Sequence, residues 1–518
     1  MADTRVVVIG AGVGGLVAAA LLAARGCDVT LVEAAAGPGG KLRALDVGGV
    51  AIDAGPTVFT LRGIFEEVFA ACGDSLDSHL VARPAHTMAR HAWGESRLDL
   101  FADPAASEAA IGDFAGADDA RSYRAFRAEA ARIFNALDRP FLRDTRINPL
   151  GLGWRMGLGG LRDYATLRPY TSLWRAIGGY FRDPRLQQLF GRYATYCGSS
   201  PFRSPATLML IAHVEAAGVW LIDGGMHALA RALESLARRK GVRFRYDAPV
   251  AEIIVAHGRA AGVVLGSGEC IAADAVVCNA DPAAIGAGRF GAAAARAVAI
   301  VPRQRRSLGA MVWLAHGSTR GFPLLRHNVF FSPDYAAEFA ALGTARLAAA
   351  PSVYLCAQDR ADTDGAHDGA ERFQIIVNAP AAGDGVPLSA MEIDRCTQAM
   401  RATLSRAGLS IELPPMSTRL LTPRDFEALC PSTGGALYGP ASHGWAASFR
   451  RQASRTRIPG LYCAGGSTHP GAGLPMAALS GRLAVDCLLR DRASTSWWHR
   501  TAMPGGISTR SATTAATA

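Results

Sequence analysis

The chain has almost no lysine. Lys41 and Lys240 are the only two among 54 cationic residues in 518, and the formal net charge is +10. A GC-rich genome accounts for the arginine bias by itself. The excess positive charge still attracts anionic surfaces, lipid or nucleic acid. No nucleic-acid-binding module is present, so no nucleic-acid partner is expected and a membrane lipid surface is the better match.

Paired cysteine motifs are also missing. The ten cysteines are scattered through apolar contexts with no CxxC pair. That excludes a disulfide framework, suits a reducing cytoplasm and leaves no metal site to expect. Charged residues reach only 19%, below the usual quarter, which favours an apolar ligand or a membrane-facing surface. There is no internal repeat and no run able to span a bilayer.

The longest uncharged run lies between Arg5 and Arg25, VVVIGAGVGGLVAAALLAA. Gly10, Gly12, Gly14 and Gly15 interrupt it. A signal peptide or a spanning helix does not tolerate glycine at that density, each costing about 1 kcal/mol against alanine. The run reads instead as a buried strand at 6–9, a GxGxxG turn and an Ala/Leu helix from 15. A second strand at 28–32 ends in Glu33. This is the order of a dinucleotide fold. Gly10 makes the tight turn, Gly12 lets a pyrophosphate approach and Gly15 lets the helix pack on the strand. The helix N-terminus faces the phosphates. Glu33 accepts from a ribose, and its charge disfavours the 2′-phosphate of NADP.

The next glycine-rich segments favour FAD over NAD. Gly37-Pro38-Gly39-Gly40-Lys41 follows Glu33, and Asp53-Ala54-Gly55-Pro56-Thr57 comes soon after. Near the C-terminus, GLYCAGGSTHPGAGLPMAALSGRLAVDCLL holds a strand at 461–464, a Gly465-Gly466 turn and a helix at 474–489. Pro475 lies in that helix's first turn. A helix N-terminus aimed at a reduced flavin would stabilise its charge. Lys41 could pair with the pyrophosphate or lie solvated in its loop.

The set GxGxxGG…E…GGK…DAGPT…THPGAGxPM resembles the phytoene desaturase family of carotenoid flavoenzymes. FGRYATYCGSSPFRSPATLMLIAHVEAAGVW (190–220), HNVFFSPD (327–334) and LYCAGGSTHPGAGLPMA (461–477) resemble its 1-hydroxycarotenoid 3,4-desaturase branch. The resemblance runs from about residue 6 to about 489. It implies an α/β fold: a Rossmann-like FAD-binding domain assembled from discontinuous segments, 1–75, 215–290 and 430–490. A mixed α+β substrate and membrane-associating domain is expected at 76–214 and 291–429, the former mostly helical, with a disordered tail at 492–518. Cofactor contacts are implied for Gly10, Gly12, Gly14, Gly15, Glu33, Gly39, Gly40, Lys41, Gly55, Pro56, Thr57, Gly465, Gly466, Pro475 and Met476, and the backbone near Val250 is implied to lie against the adenine. Gly465-Gly466-Ser467 departs from the Gly-Asp that many FAD enzymes place after the last strand, so backbone N–H groups are expected to do that work.

The implied reaction is introduction of the C3–C4 double bond into an acyclic 1-hydroxycarotenoid. Loss of a hydride leaves a cation delocalised over the polyene, and the adjacent proton then needs only a weak base. No strong catalytic triad is expected. His213, Glu215, His327, Asn328 and His469 are the polar candidates near an apolar tunnel; His213, His327 and Asn328 could touch substrate, and His469 shapes the flavin site. The sequence does not name the electron acceptor; oxygen, a quinone or another carrier could reoxidise the flavin. Arginines and aromatics are interleaved at 139–192, with Trp497 and Trp498 further on. They suit peripheral attachment to the inner, photosynthetic membrane from the cytoplasmic side, without a signal peptide or transmembrane helix. The alternatives are a phytoene desaturase of the same family, an FAD amine oxidase, or a lipid carrier on the same fold. His469-Pro470 and Met476 replace the aromatic sandwich of amine oxidases, and the intact GxGxxG with Glu33 argues against a carrier.

Overall fold

The computed structural model describes residues 4–145, 148–149, 151–152, 167–363, 367 and 369–500, and of 494–500 the backbone only. A five-stranded, all-parallel sheet forms one half of the molecule. Its order is Arg243–Arg245, Asp28–Val32, Arg5–Ile9, Ala275–Cys278, Leu461–Cys463. Neighbouring strands thus come from distant parts of the chain. Residues 6–9, 29–32 and 275–278 of the inner strands are buried on both faces and apolar except for Thr30, as a parallel sheet covered on both sides requires.

The helix Val13–Ala24 is buried nearly all round because its Ala and Leu residues present no polar face. It packs against helices His227–Arg239 and Leu474–Arg500. The last of these crosses it at contact distance: a Cβ added at Gly481 would lie 2.3 Å from the Gly14 carbonyl oxygen. Helix His227–Arg239 starts where it does because Asp53 accepts from the Met226 and His227 N–H groups at 2.6 and 3.1 Å. This satisfies donors a helix N-terminus otherwise leaves free. A separate antiparallel sheet, Val250–Ala256, Arg259–Leu265 and Cys270–Ala272, flanks the nucleotide half.

The other half is built on an eight-stranded sheet. Its longest strand, Gly309–Arg320, lies next to one edge and pairs with Glu371–Ala379 and Thr418–Leu421. Helix Ala117–Leu137 covers a core of Tyr123, Phe126, Phe181 and Phe190. Two departures from the sequence reading appear. The segment 76–214 is not mostly helical at its start: the hairpin Thr87–Trp93 and Ser96–Phe101 joins the large sheet through parallel pairing with His327–Phe330. Residues 87–92 are buried on both faces, so the two-residue alternation that marks a strand is absent. The closing helix also runs on to Arg500, past the start of the expected tail at 492. Residues 501–518, and 146–147, 150 and 153–166 of the basic aromatic stretch, lie outside the described residues.

Candidate active site

Four chain segments converge at the carboxyl edge of the parallel sheet, where ligands of open α/β sheets bind. Gly10 leaves the first strand with φ +94°, a left-handed conformation that costs glycine little. Its N–H donates to Val32 O at 2.8 Å. The Glu33 carboxylate accepts from Ala11 N at 2.6 Å and Ala35 N at 2.9 Å, fixing the glycine turn to the second strand. Gly39 N donates to Ala11 O at 2.8 Å, and a bridge joins Gly12 to Gly39. The two glycine segments therefore form one wall.

The third segment is Asn279 and the fourth Gly465-Gly466. A Cβ at Gly12 would lie 2.7 Å from Asn279 Nδ2; one at Gly14 would lie 2.7 Å from Asn279 Oδ1 and 2.8 Å from Gly465 N. Asn279 Oδ1 is buried with no partner among the described residues. Asp281 accepts a short hydrogen bond from Ser467 Oγ. A carboxylate therefore does reach the Gly-Gly-Ser turn, supplied by the neighbouring strand's loop instead of by the turn itself. Arg451, buried, donates to the Tyr438 and Pro440 carbonyls at 3.0 and 2.8 Å, and its Nε lies beside the Gly471 turn.

Every residue expected at the nucleotide site except Gly15 lines a single cavity of about 820 Å³. Gly15 sits behind it, where a Cβ would meet Gly10 O at 2.0 Å; its part is helix-to-strand packing. Lys41 lies on the wall with its ammonium donating to Leu437 O at 2.8 Å. Val250 shares its end of the cavity with Ala248, Pro249 and Phe290. The helix Leu474–Arg500 opens onto the cavity with Pro475 and Met476, turning its positive end inward. The cavity continues into the second half between apolar side chains including Val58, Leu137, Leu208 and Ile211.

The polar candidates divide sharply. Glu215 is on the cavity wall and accepts from both the Tyr193 and Tyr196 hydroxyls, the latter at 2.7 Å. His327, Asn328, His213 and His469 are not on the wall. His327 stands behind it: its Nδ1 meets Tyr354 Oη at 2.8 Å, and that hydroxyl donates to Thr57 Oγ1 at 2.7 Å, both partners being on the wall. Burial holds the His327 imidazole neutral, its pKa down at about 3. Asn328 closes its own turn, accepting from Leu325 N and donating to the Leu325 and Leu355 carbonyls. His213 packs against Phe134, ring centroids 4.9 Å apart, with desolvation lowering its pKa. His469 is buried, pushed down to about 4, with Nε2 on the Phe141 and Asp144 carbonyls. It anchors the flavin-side turn to the helical layer.

Among the described residues no group of His, Cys, Asp and Glu could hold a metal ion, and no helix is long and apolar enough to cross a membrane. The family profile described as flavin containing amine oxidoreductase matches residues 13–489. A hydroxyneurosporene desaturase of Rubrivivax gelatinosus is 51% identical over 98% of both chains. The chain belongs to the flavin-containing amine oxidoreductases, among the carotenoid desaturases. Another member, a 1-hydroxycarotenoid 3,4-desaturase of Flavobacterium sp. (strain P99-3), is 30% identical over 93% of this chain and 99% of its own. Putrescine oxidase bound to putrescine shares the family's fold at a TM-score of 0.58 and 16% identity, over 95% of this chain and 99% of that one.

As in that family, the cofactor is FAD, and the residues fit it. Gly12 and Gly14 carry no side chain where Asn279 and Gly465 pack against the turn, and Asn279, on the same cavity wall, holds a buried Oδ1 with no partner among the described residues. Glu33, Val250, Gly465, Gly466 and Pro475 all line the cavity; when FAD binds, Glu33 would meet a ribose, the Val250 segment the adenine, and the Gly465-Gly466 and Pro475 turns the ring end. The enzyme is an FAD-dependent oxidoreductase. Asn279, Asp281, Tyr354 and Arg451 were not foreseeable from local motifs. The one available signal was position: Asn279 directly follows a buried strand, at the edge where a parallel sheet binds its ligand.

Proposed function

We propose that this enzyme is a carotenoid desaturase that introduces the C3–C4 double bond into acyclic 1-hydroxycarotenoids, as in hydroxyneurosporene to demethylspheroidene. One observation carries the reading. The FAD cradle opens, without a break, into a chamber walled by aliphatic and aromatic side chains. A long hydrocarbon suits such a wall, and burying it there is favourable at roughly 25 cal/mol per Å². The names borne by its relatives point the same way.

Bound FAD supplies a hydride-accepting centre. The chain's own residues bind, orient and exclude water. Val58, Leu137, Leu208 and Ile211 hold the polyene, and the Thr57–Tyr354–His327 series fixes the wall beside the DAGPT turn. His327, neutral and without exposure to the chamber, holds Tyr354 and exchanges no proton with substrate. Oxygen or a quinone takes the electrons afterwards.

Substrate enters from a lipid surface. Tyr170 is 77% exposed and Trp445 42% exposed, and their rings meet at 5.7 Å. Trp445 contacts Phe449, and Phe449 contacts the cavity-lining Phe141. An aromatic path thus leads from the surface to the chamber, beside exposed Arg168, Arg203 and Arg450. Aromatic and arginine side chains together suit a membrane interface.

Expression in bacteria that make neurosporene, with and without a 1-hydroxylating enzyme, tests the assignment by pigment analysis. A red-shifted product only with the hydroxylase is expected. Equal desaturation of phytoene or of unhydroxylated neurosporene refutes the branch.

A further inference from the structure

The chamber has one cluster of buried polar side chains that the chemistry above does not use. Arg192 and Tyr196 stand on the 3₁₀ segment Arg192–Cys197, and Glu215 on helix Leu210–Ala216. All three line the cavity. Tyr196 Oη donates to Glu215 at 2.7 Å and accepts from Arg192 Nη2 at 3.2 Å. Tyr193 donates to the other Glu215 oxygen. The Arg192 guanidinium makes no other hydrogen bond among the described residues, and its Nε is buried without a partner.

Such a group is costly in an apolar chamber unless something uses it. The Arg192 charge is balanced by Glu215 and by the Tyr196 ring, 5.1 Å from its guanidinium carbon, but N–H donors left without an acceptor still cost free energy when buried. The tyrosines are held neutral, burial raising both phenols well above their ordinary value, so they remain hydroxyl donors and acceptors. The cluster therefore presents cationic N–H donors beside a tyrosine oxygen with a lone pair to spare. An alcohol matches both, its oxygen accepting from arginine and its O–H donating to the phenol or carboxylate.

We propose that Arg192, Tyr196 and Glu215 form a hydroxyl-reading site that selects polyenes bearing a 1-hydroxyl and registers the C3–C4 bond against the flavin. The proposal rests on the function given above and names the specificity element of that same site. Position supports it. The hydroxyl-bearing carbon is two C–C bonds from the reacting pair, so its reader must lie beside the flavin. Cys197, next to Tyr196, lies in the field of Arg451, whose Nε is 3.8 Å from where a Cβ at Gly471 would stand, on the ring-end turn. Tyr354, which donates to Thr57 of the DAGPT turn, in turn feels Arg192 and Tyr196. A site built to bond a hydroxyl discriminates strongly against the analogue that lacks it, because its own groups are then left unpaired.

The test compares kcat/KM for 1-hydroxyneurosporene and for neurosporene, in detergent micelles with FAD-loaded full-length enzyme, for wild type, Tyr196→Phe, Arg192→Lys and Arg192→Met. Wild type prefers the hydroxylated substrate. Tyr196→Phe lowers that preference about tenfold, one hydrogen bond's worth. Arg192→Lys, which keeps the charge and a donor, retains more of it than Arg192→Met. A preference unchanged in Tyr196→Phe, or equal losses on both substrates, overturns the hydroxyl-reading site while leaving the proposed function standing. A wild type that shows no preference at all overturns the proposed function as well. Should Arg192→Met fail to fold, the Tyr196→Phe ratio decides alone.

Discussion

Replacing Gly12 by alanine tests the cofactor cradle with one methyl group. Gly12 is the N-cap of the helix Val13–Ala24 at φ −70°, ψ 170°, extended backbone that alanine adopts freely. The substitution therefore brings no conformational strain. Its Cβ would stand 2.7 Å from Asn279 Nδ2, and the next neighbour outside Asn279, Gly39 O, is 4.0 Å away. Only the Asn279 side chain must yield, and Asn279 is itself part of the cavity wall. Overpacking of this kind costs about 1–3 kcal/mol, which corresponds to roughly 5- to 150-fold weaker FAD binding. Fluorescence titration of the apoprotein with FAD measures it directly. Two further variants sharpen the result. Gly37→Ala meets nothing within 4 Å and should bind FAD as wild type does. Gly14→Ala meets backbone at Gly465 N, 2.8 Å, and Ala477 O, 3.0 Å, and should lower the melting temperature of the apoprotein as well. Wild-type FAD affinity in Gly12→Ala would refute the cradle.

Asn279→Ala removes a carbonyl oxygen that no described residue uses, so FAD affinity should fall about tenfold while apoprotein melting changes little; a loss of stability without a loss of affinity contradicts the assignment. Acid should destabilise the fold from about pH 6.5 downward. His91 and His327 have pKa values lowered to about 3, and His443 and His469 to about 4, all by burial. Because the unfolded chain takes up those protons first, each histidine removes up to about 1.4 kcal/mol per pH unit between its unfolded and folded values. Glu338, raised by burial to about 7, works in the opposite sense between pH 7 and its unfolded value of about 4.5. Urea midpoints should nonetheless drop from pH 7 to pH 5, and an unchanged midpoint sinks the argument. Tyr170→Ala combined with Trp445→Ala should reduce co-flotation with anionic liposomes several-fold at constant FAD content; undiminished flotation removes that surface from the proposed membrane face.

What was legible in the sequence was what is local. Gly10 through Gly15, followed by a strand ending in Glu33, is a continuous motif whose physics needs no distant partner. The Gly465-Gly466 turn and the helix after it are of the same kind. The chamber wall is different, because its chemistry arises from contacts between segments. His327 is half of a pair with Tyr354, and only the pairing of strands His327–Phe330 and Val353–Ala357 shows that the tyrosine takes the cavity side. Asn328 carries a polar side chain into an apolar strand, which suggests function, yet its amide is consumed within its own turn. Arg192 closes the basic, aromatic stretch, and Tyr196 follows four residues later. That composition suggested a membrane face, and burial beside Glu215 was hidden because a six-residue 3₁₀ segment is too short to show its three-residue period. Asp281 replaced the missing acid of the last turn from an adjacent strand, a substitution that no linear pattern reveals.

The parallel sheet places its first-made strand, Arg5–Ile9, at the centre and its last, Leu461–Cys463, at the edge. During synthesis at about 5–20 residues per second, the interval between the two is on the order of tens of seconds. Throughout it the Ala/Leu helix after the first strand has no closing helix to cover it, and Ala275–Cys278 has a naked outer edge. The nascent polypeptide thus exposes its greasiest element early and shields it last, so a ribosome stalled before the final helix leaves a sticky, flavin-free product. Translation that finishes without pause, or a holdase that shelters the amino-terminal half meanwhile, governs how much pigment-forming enzyme a cell obtains from each message.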